Sequence, residues 1–213
     1  MFAVTDILKH FEHPFPYGEF SHNLFDDTEF ALRFELGGED VSTDRPLKRF
    51  IQAYDRAAAV ATEVFSDTAC LWMLSSVYGD AEPRKKRLKP FKLCGLKKNN
   101  FQYLGAVSQK GNPDFDEDDD EVFRHWDAAE LEDLGQLREV MWLALGCELG
   151  IRPASFADIY FVDFKKGIVL YAYDDRGMDV SAVRKEDLMS LYRNRNSWLL
   201  EYGFDEMKAV FEG

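Results

Sequence analysis

Three stretches of this chain hold residue types that could do chemistry. The first is Asp114-Phe115-Asp116-Glu117-Asp118-Asp119-Asp120-Glu121, acidic at every position but one. It offers the D-x-D-x-D opening of a calcium loop, but such a loop needs glycine at its sixth position for the sharp turn and a bidentate glutamate at its twelfth. Those positions hold Asp119 and His125, so the run reads as a solvated loop. The second is the basic cluster Arg84, Lys85, Lys86, Arg87, Lys89, Lys92, Lys97 and Lys98. Phe91 is the lone aromatic within it and no nucleic-acid module surrounds it, which favours a solvated helix face or a site for an anionic partner. The third is Tyr173-Asp174-Asp175-Arg176-Gly177-Met178-Asp179-Val180. Aspartate bonds its own backbone in turns and glycine supplies positive φ, so a tight turn is expected there, with Arg176 tied down by Asp174, Asp175 or Asp179. The binding residues expected from sequence are Tyr173, Asp174, Asp175, Arg176 and Asp179, either as a polar recognition patch or as a structural clamp.

Other chemistries find little support. His10 and His13 stand three apart and His22 lies further on, but no CxxC or HExxH pattern completes a zinc set, so no metal site is expected. There is no G-x-S-x-G elbow, Walker A loop or G-x-G-x-x-G fingerprint; no catalytic residue and no cofactor is assigned. Cys70, Cys94 and Cys147 are odd in number, and Cys70 and Cys147 sit in apolar periodic segments, which suggests small core residues in a reducing compartment.

The elements that position these residues follow from hydrophobic periodicity. Residues 28–36 alternate, with Phe30, Leu32, Phe34 and Leu36 on one face and Glu29, Arg33 and Glu35 on a wet one. Leu47, Phe50, Ile51, Tyr54, Ala58, Ala61 and Phe65 recur at helical spacing after Pro46, predicting a helix over 46–65. A strand over 69–77 would complete a strand–helix–strand unit. Further strands are expected at 101–107, 156–164, 168–173 and 178–182, and a second long helix over 130–149. Lys165-Lys166-Gly167 reads as a hairpin connection. Short helices are expected at both termini, one over 4–11 and one around Phe204 to Phe211. The result is an α+β fold: a mixed or largely antiparallel sheet of about five or six strands against two long helices, one domain over 1–213 with an exposed acid-rich loop near 111–121.

Composition bounds the function. The 213 residues are 46% hydrophobic and 15% aromatic, ample for a core, and the net charge is −13. Such a surface disfavours nucleic acid and anionic membranes and suits a basic protein partner. No basic region followed by an apolar stretch opens the chain, and the longest apolar run, from Val140 to Cys147, is too short to span a bilayer, so a cytoplasmic location is expected.

Tyr173 to Val180, followed by Leu188, Leu191-Tyr192, Asn196 and Trp198-Leu199-Leu200, resembles a bacterial family of unknown function marked by a Tyr-Asp-Asp-Arg-Gly strand end and a Trp-Leu-Leu segment. Arg33-Phe34-Glu35-Leu36-Gly37 is similar to that family's N-terminal strand. The resemblance implies a bacterial source and a shared core, and no reaction. The leading functional expectation is a cytosolic protein-interaction module, in its sharper form an immunity or antitoxin-type protein that neutralises a basic toxin domain. The alternative is an enzyme or small-ligand binder with its site at the Asp174–Asp179 turn.

Overall fold

The computed structural model describes residues 20–38, 41–112 and 121–213; the expected helix over 4–11, His10, His13 and the acidic positions 114–120 lie outside them. Seven strands form one sheet: β1 (Phe30–Glu35), β2 (Leu71–Gly79), β3 (Gln102–Ser108), β4 (Phe123–Leu131), β5 (Asp158–Asp163), β6 (Ile168–Ala172) and β7 (Gly177–Ala182). Their order is β1-β7-β6-β5-β2-β4-β3, and every pairing is antiparallel. Five α-helices accompany them among the described residues: α1 (Leu24–Asp27), α2 (Pro46–Val64), α3 (Leu134–Leu145), α4 (Glu186–Asn194) and α5 (Phe204–Glu212). The α+β class and antiparallel character agree with the sequence reading; the sheet is one or two strands larger.

The added strand is β4, of which only the last two residues fall within the helix expected over 130–149. Arg124, His125 and Asp127 interrupt the apolar pattern there, yet all three are buried, because each has a polar partner inside the fold. The expected strand–helix–strand unit is also rearranged. Alternating antiparallel neighbours make β1 and β2 parallel, but β7, β6 and β5 lie between them, so α2 spans a wide crossover.

Alternation along each strand divides the interior into two layers. Leu32, Phe34, Met73, Phe161, Leu170 and Val180 face one core, which α2, α3, α4 and α5 cover. Helix α2 begins on Pro46, whose fixed φ and missing N–H suit a first helical position. It seats Phe50, Ala53, Ala57, Val60, Ala61 and Val64 against the sheet, the alanines allowing close approach. That stripe is rotated from the expected one, leaving Leu47 65% and Ile51 57% exposed. Helix α3 is capped by the Asp133 carboxylate, which accepts the Gln136 N–H at 2.8 Å, and it ends at Leu145, four residues short of the expected terminus. On the opposite face, Phe20, Leu24, Leu74, Trp126, Tyr160, Val169 and Tyr171 make a second apolar layer.

Two further expectations are corrected. Cys94 is the buried thiol, with burial pushing its pKa up to about 11, whereas Cys70 is exposed and Cys147 half-buried. Cys70 precedes β2 in the turn after α2, outside the pleat that buries Leu71. The basic segment forms no α-helix. Pro83, Pro90 and Gly95 confine it to turns and a 3-10 helix at Pro90–Cys94, and Arg87 leaves solvent to pair with buried Asp127, at 2.6 and 2.7 Å.

Candidate functional site

The signature stretch is the end of β6, a tight turn and β7. Its three aspartates hold three different arginines. Asp174 caps the turn through Oδ1, which accepts the Arg176 backbone N–H at 2.7 Å, and Oδ2 accepts Arg176 Nε at 2.8 Å. Asp175 pairs with Arg49 of α2, whose Nη1 also donates to the Gly38 and Val41 carbonyls, each at 2.8 Å. Asp179 is fully buried and takes Arg33 of β1 in a fork, Nε to Oδ1 at 2.8 Å and Nη2 to Oδ2 at 2.9 Å. Of the three candidates for holding Arg176, Asp174 is the one that binds it. Arg33, placed by alternation on a wet face, is 9% exposed because Asp179 stands opposite it in the β1–β7 register.

Glycine at position 177 serves a different purpose from the one expected. It does not adopt positive φ. A Cβ there would lie 1.9 Å from the Tyr173 hydroxyl, so glycine makes room for the ring of that tyrosine. Gly37 is similar: a Cβ would come within 2.7 Å of the Asp175 carbonyl and the Arg49 guanidinium, so the clamp between the turn and α2 requires its absence.

Electrostatics follow from this packing. Burial pushes the Asp179 carboxyl up, and the Arg33 guanidinium and the Phe25 N–H pull against that rise. Burial opposes protonation of Arg33 as well, but Asp179 more than compensates and raises it. Burial raises Tyr173, with Asp179 adding to the effect. Beside the turn lies an open depression of about 500 Å³ lined by Thr43, Pro46, Glu148, Asp174, Asp175 and Arg176, among others. The Arg176 side chain is 78% exposed at its rim. Replacing Arg176 with alanine is therefore expected to cost under about 1 kcal/mol, as for exposed ion pairs. Arg49→Ala, which strands a buried carboxylate and two carbonyls, should cost about 2–4 kcal/mol. Urea unfolding of the two variants tests this; equal losses would contradict the assignment of Arg49 as the clamp.

A second polar cluster lies on the sheet face away from the long helices, and sequence reading missed it. Arg124 of β4 donates to the Phe20 carbonyl at 2.7 Å, Ser76 Oγ at 2.9 Å, Tyr160 Oη at 2.9 Å and Asp158 Oδ2 at 3.2 Å. The His22 ring reaches Tyr78 Oη at 2.7 Å and Tyr171 Oη at 3.1 Å, with Asp158 at 3.7 Å. Tyr160 and Tyr171 are register partners on β5 and β6, stacked with centroids 4.3 Å apart. An imidazole between two phenols and a carboxylate has the makings of proton transfer. Here, however, the groups serve one another and fasten residues 20–23 to the sheet, since Tyr160 Oη also donates to the Ser21 carbonyl at 3.1 Å. The available signal was the shared strand face of Tyr171 and Tyr173, extended by Asp158 and Tyr160 at period two.

A third feature is apolar. Tyr54, Leu93, Cys94, Glu139, Trp142, Leu143 and Pro153 line a depression of about 250 Å³ on the helical layer. Leu93 is 68% exposed beside it. Among the described residues, no group of three or more His, Cys, Asp and Glu could hold a metal ion, and no helix is long and apolar enough to cross a membrane.

Comparison with known proteins places this sequence in a family. The uncharacterized protein YnaE of Bacillus subtilis (strain 168) is 23% identical over 215 residues, spanning 92% of this chain and 98% of that protein. No solved structure matches. The family described as a domain of unknown function, DUF3885, matches residues 7–203, a span that contains the Asp174–Asp179 turn, both of its arginine partners from α2 and β1, and the Trp198-Leu199-Leu200 segment. The chain belongs to the DUF3885 family.

Proposed function

We propose that this chain is a protein-interaction module of the bacterial cytosol that binds a basic partner, in its sharper form an immunity or antitoxin-type protein that neutralises a basic toxin domain. The observation that carries this reading is the pairing of a net charge of −13 with large apolar side chains left exposed, Leu47 and Ile51 on α2, Leu93 in the 3-10 helix and Phe156 in the loop before β5. Acidic surface speeds encounter with a cationic protein and makes association salt-sensitive, while exposed apolar side chains supply the contact that survives once water is expelled. The three aspartates of the signature turn are committed to arginines within the chain, so they serve the scaffold.

The test is affinity capture from the bacterial host at low and high salt. A basic protein should be retained near 0.1 M salt and its association rate should fall steeply toward 1 M, as the screening length shrinks from about 10 Å to about 3 Å. Capture of an acidic protein, or a basic one whose association rate ignores salt, would sink the reading. A second reading, a small-ligand binder or enzyme at the Asp174–Asp179 turn, has in its favour the depression of about 500 Å³ beside Asp174, Asp175 and Arg176.

A further inference from the structure

One stretch of this acidic chain has the opposite charge. No aspartate or glutamate occurs from Pro83 to Asn112, whereas Arg84, Lys85, Lys86, Arg87, Lys89, Lys92, Lys97, Lys98 and Lys110 all fall there. Arg87 is taken by Asp127, but Arg84, Lys85, Lys86, Lys89, Lys92, Lys97 and Lys98 are exposed and form no ion pair with a described residue. Lys92, Lys97, Lys98 and Asn99 line an open depression of about 800 Å³, with no acid among them. Asp80 and Glu82 before the block, and Glu121, which accepts from Ser108 Oγ at 3.0 Å, leave it net positive. The block flanks β3, the last strand of the sheet. The 3-10 turn Lys98–Asn100 leads into β3 at Gln102, and Arg87 lies over the Tyr103 ring at 5.2 Å. Arg84 Nε lies 3.9 Å from where a Cβ on Gly79 would stand, level with Ser108 through Phe123. Strand β3 itself carries no charged residue and no proline. The Gln109 N–H bonds the Val122 carbonyl at 2.8 Å, so alternation turns the N–H and C=O of Ala106 and Ser108 away from β4. Among the described residues nothing pairs with them. Of the usual devices that blunt an open edge, β3 has a bulge between Tyr103 and Gly105, and Ala106 to Ser108 lie beyond it.

We propose that an acidic segment of a partner protein docks here in extended form, its backbone pairing with the outer edge of β3 at Ala106 and Ser108 and its carboxylates lying against Lys92, Lys97 and Lys98. Lys98 and Ala106 are at most about 29 Å of chain apart, and ten extended residues cover about 33 Å, so one short segment reaches both. Backbone pairing supplies affinity, and the lysines fix charge and register. The inference goes beyond the basic-partner reading and does not rest on it, since it concerns a surface of opposite sign. Nucleic acid fits less well. Phe91 is buried, Phe101 packs on it at 5.5 Å and Tyr103 lies beneath Arg87, so no free ring awaits a base, and the acidic remainder repels a long polyanion. A free phosphate would meet flexible lysines without the arginine fork or backbone cradle that fixes it. A second copy paired edge to edge would set one basic block against another.

The experiment selects from a random decapeptide library displayed on phage against the full chain, with Lys97→Glu plus Lys98→Glu as the counter-selection target. Both lysines are exposed, so the double variant should keep its core, and an unchanged thermal midpoint verifies that. Enriched peptides should be acidic and free of proline in the paired stretch. A synthetic copy of the best should bind the double variant at least about tenfold more weakly, and wild type more weakly as salt rises. N-methylation of alternate peptide residues should abolish binding for one alternating set and spare the other, because an added strand pairs through one edge. The Ala106 and Ser108 amide protons should exchange more slowly in the complex. Peptides that are basic, that bind the double variant equally, or that fail to enrich overturn the proposal. An acidic peptide indifferent to both N-methylated sets overturns it too, since charge would then act without strand addition. So does a single-stranded oligonucleotide or inorganic polyphosphate that binds at these lysines more tightly than any enriched peptide. Enrichment that appears only after the acids of 114–120 are changed to Asn and Gln would make the chain's own acidic run the occupant, and overturns it as well. Capture of a basic host protein is a separate result, so either inference can fail alone.

Discussion

Arg33→Met is expected to lower stability by about 3–5 kcal/mol, the usual cost of stranding a buried charge. Asp179 is fully buried between β1 and β6 and has no route to water, so without Arg33 it must stay ionised in an apolar site or take up a proton. The Phe25 N–H, donating to it at 3.2 Å, is too little to hold the charge. The reverse variant, Asp179→Asn, should cost less, because Arg33 keeps Asn23 Oδ1 at 2.7 Å and Asp26 at 3.8 Å and sits over the Phe25 ring at 4.6 Å. Asp179→Leu combined with Arg33→Met should recover much of the loss, since a well-packed apolar pair removes both desolvation penalties. Urea denaturation of the three variants decides the matter. A double variant as unstable as Arg33→Met alone would mean that the fork contributes through packing and not through charge compensation.

This pair also shows where sequence reading reached and where it stopped. Strands β1, β5, β6 and β7 and helices α2 and α5 were legible because each buries an alternating or helical apolar stripe that survives whatever lies opposite. Position 33 was misplaced because alternation reports only that a residue faces away from the first core. It cannot say whether that second face meets water or a partner, and here β7 sets Asp179 opposite. Strand β4 was missed for the same reason in stronger form. Its Arg124 and Asp127 are tolerated inside only because Asp158, Ser76 and Arg87, distant in sequence, arrive to pair with them. The turn was recognised from its residue types, but not the division of its three aspartates among Arg176, Arg49 and Arg33, since two of those partners come from other elements. The apolar depression beside Trp142 left no linear trace. Tyr54, Leu93, Trp142 and Pro153 come from four separate segments that meet only in the folded chain.

The row of tyrosines on the sheet face carries the second large effect, a steep loss of stability in alkali. Burial raises the pKa of Tyr160, Tyr171 and Tyr173 in the folded chain, and the nearby carboxylates Asp158 and Asp179 add to the rise while Arg124 and Arg33 oppose it. In the unfolded chain these phenols ionise near pH 10. The folded form therefore holds its three protons where the unfolded form has released them. Stability is intact below about pH 10 and falls above it, at a limiting rate of about 4 kcal/mol per pH unit for three protons. The Cys94 thiol, at about 11 in the folded chain, should add a gentler decline that begins near the ordinary thiol range. The expected curve from urea midpoints is flat at neutral pH, bends slightly near pH 9 and then drops sharply past pH 10, flanked by a late, cooperative appearance of phenolate absorbance at the unfolding transition. Tyr171→Phe should remove about a third of the steep slope, because one of the three linked protons is gone. The same variant gives up the Tyr171 Oη contacts to His22 at 3.1 Å and Asp158 at 3.3 Å, so it should begin from a lower plateau at neutral pH. Phenolate absorbance that rises near pH 10 while the chain remains folded would show that these rings titrate in the native state, and the buried tyrosine row would then have to open to water without global unfolding.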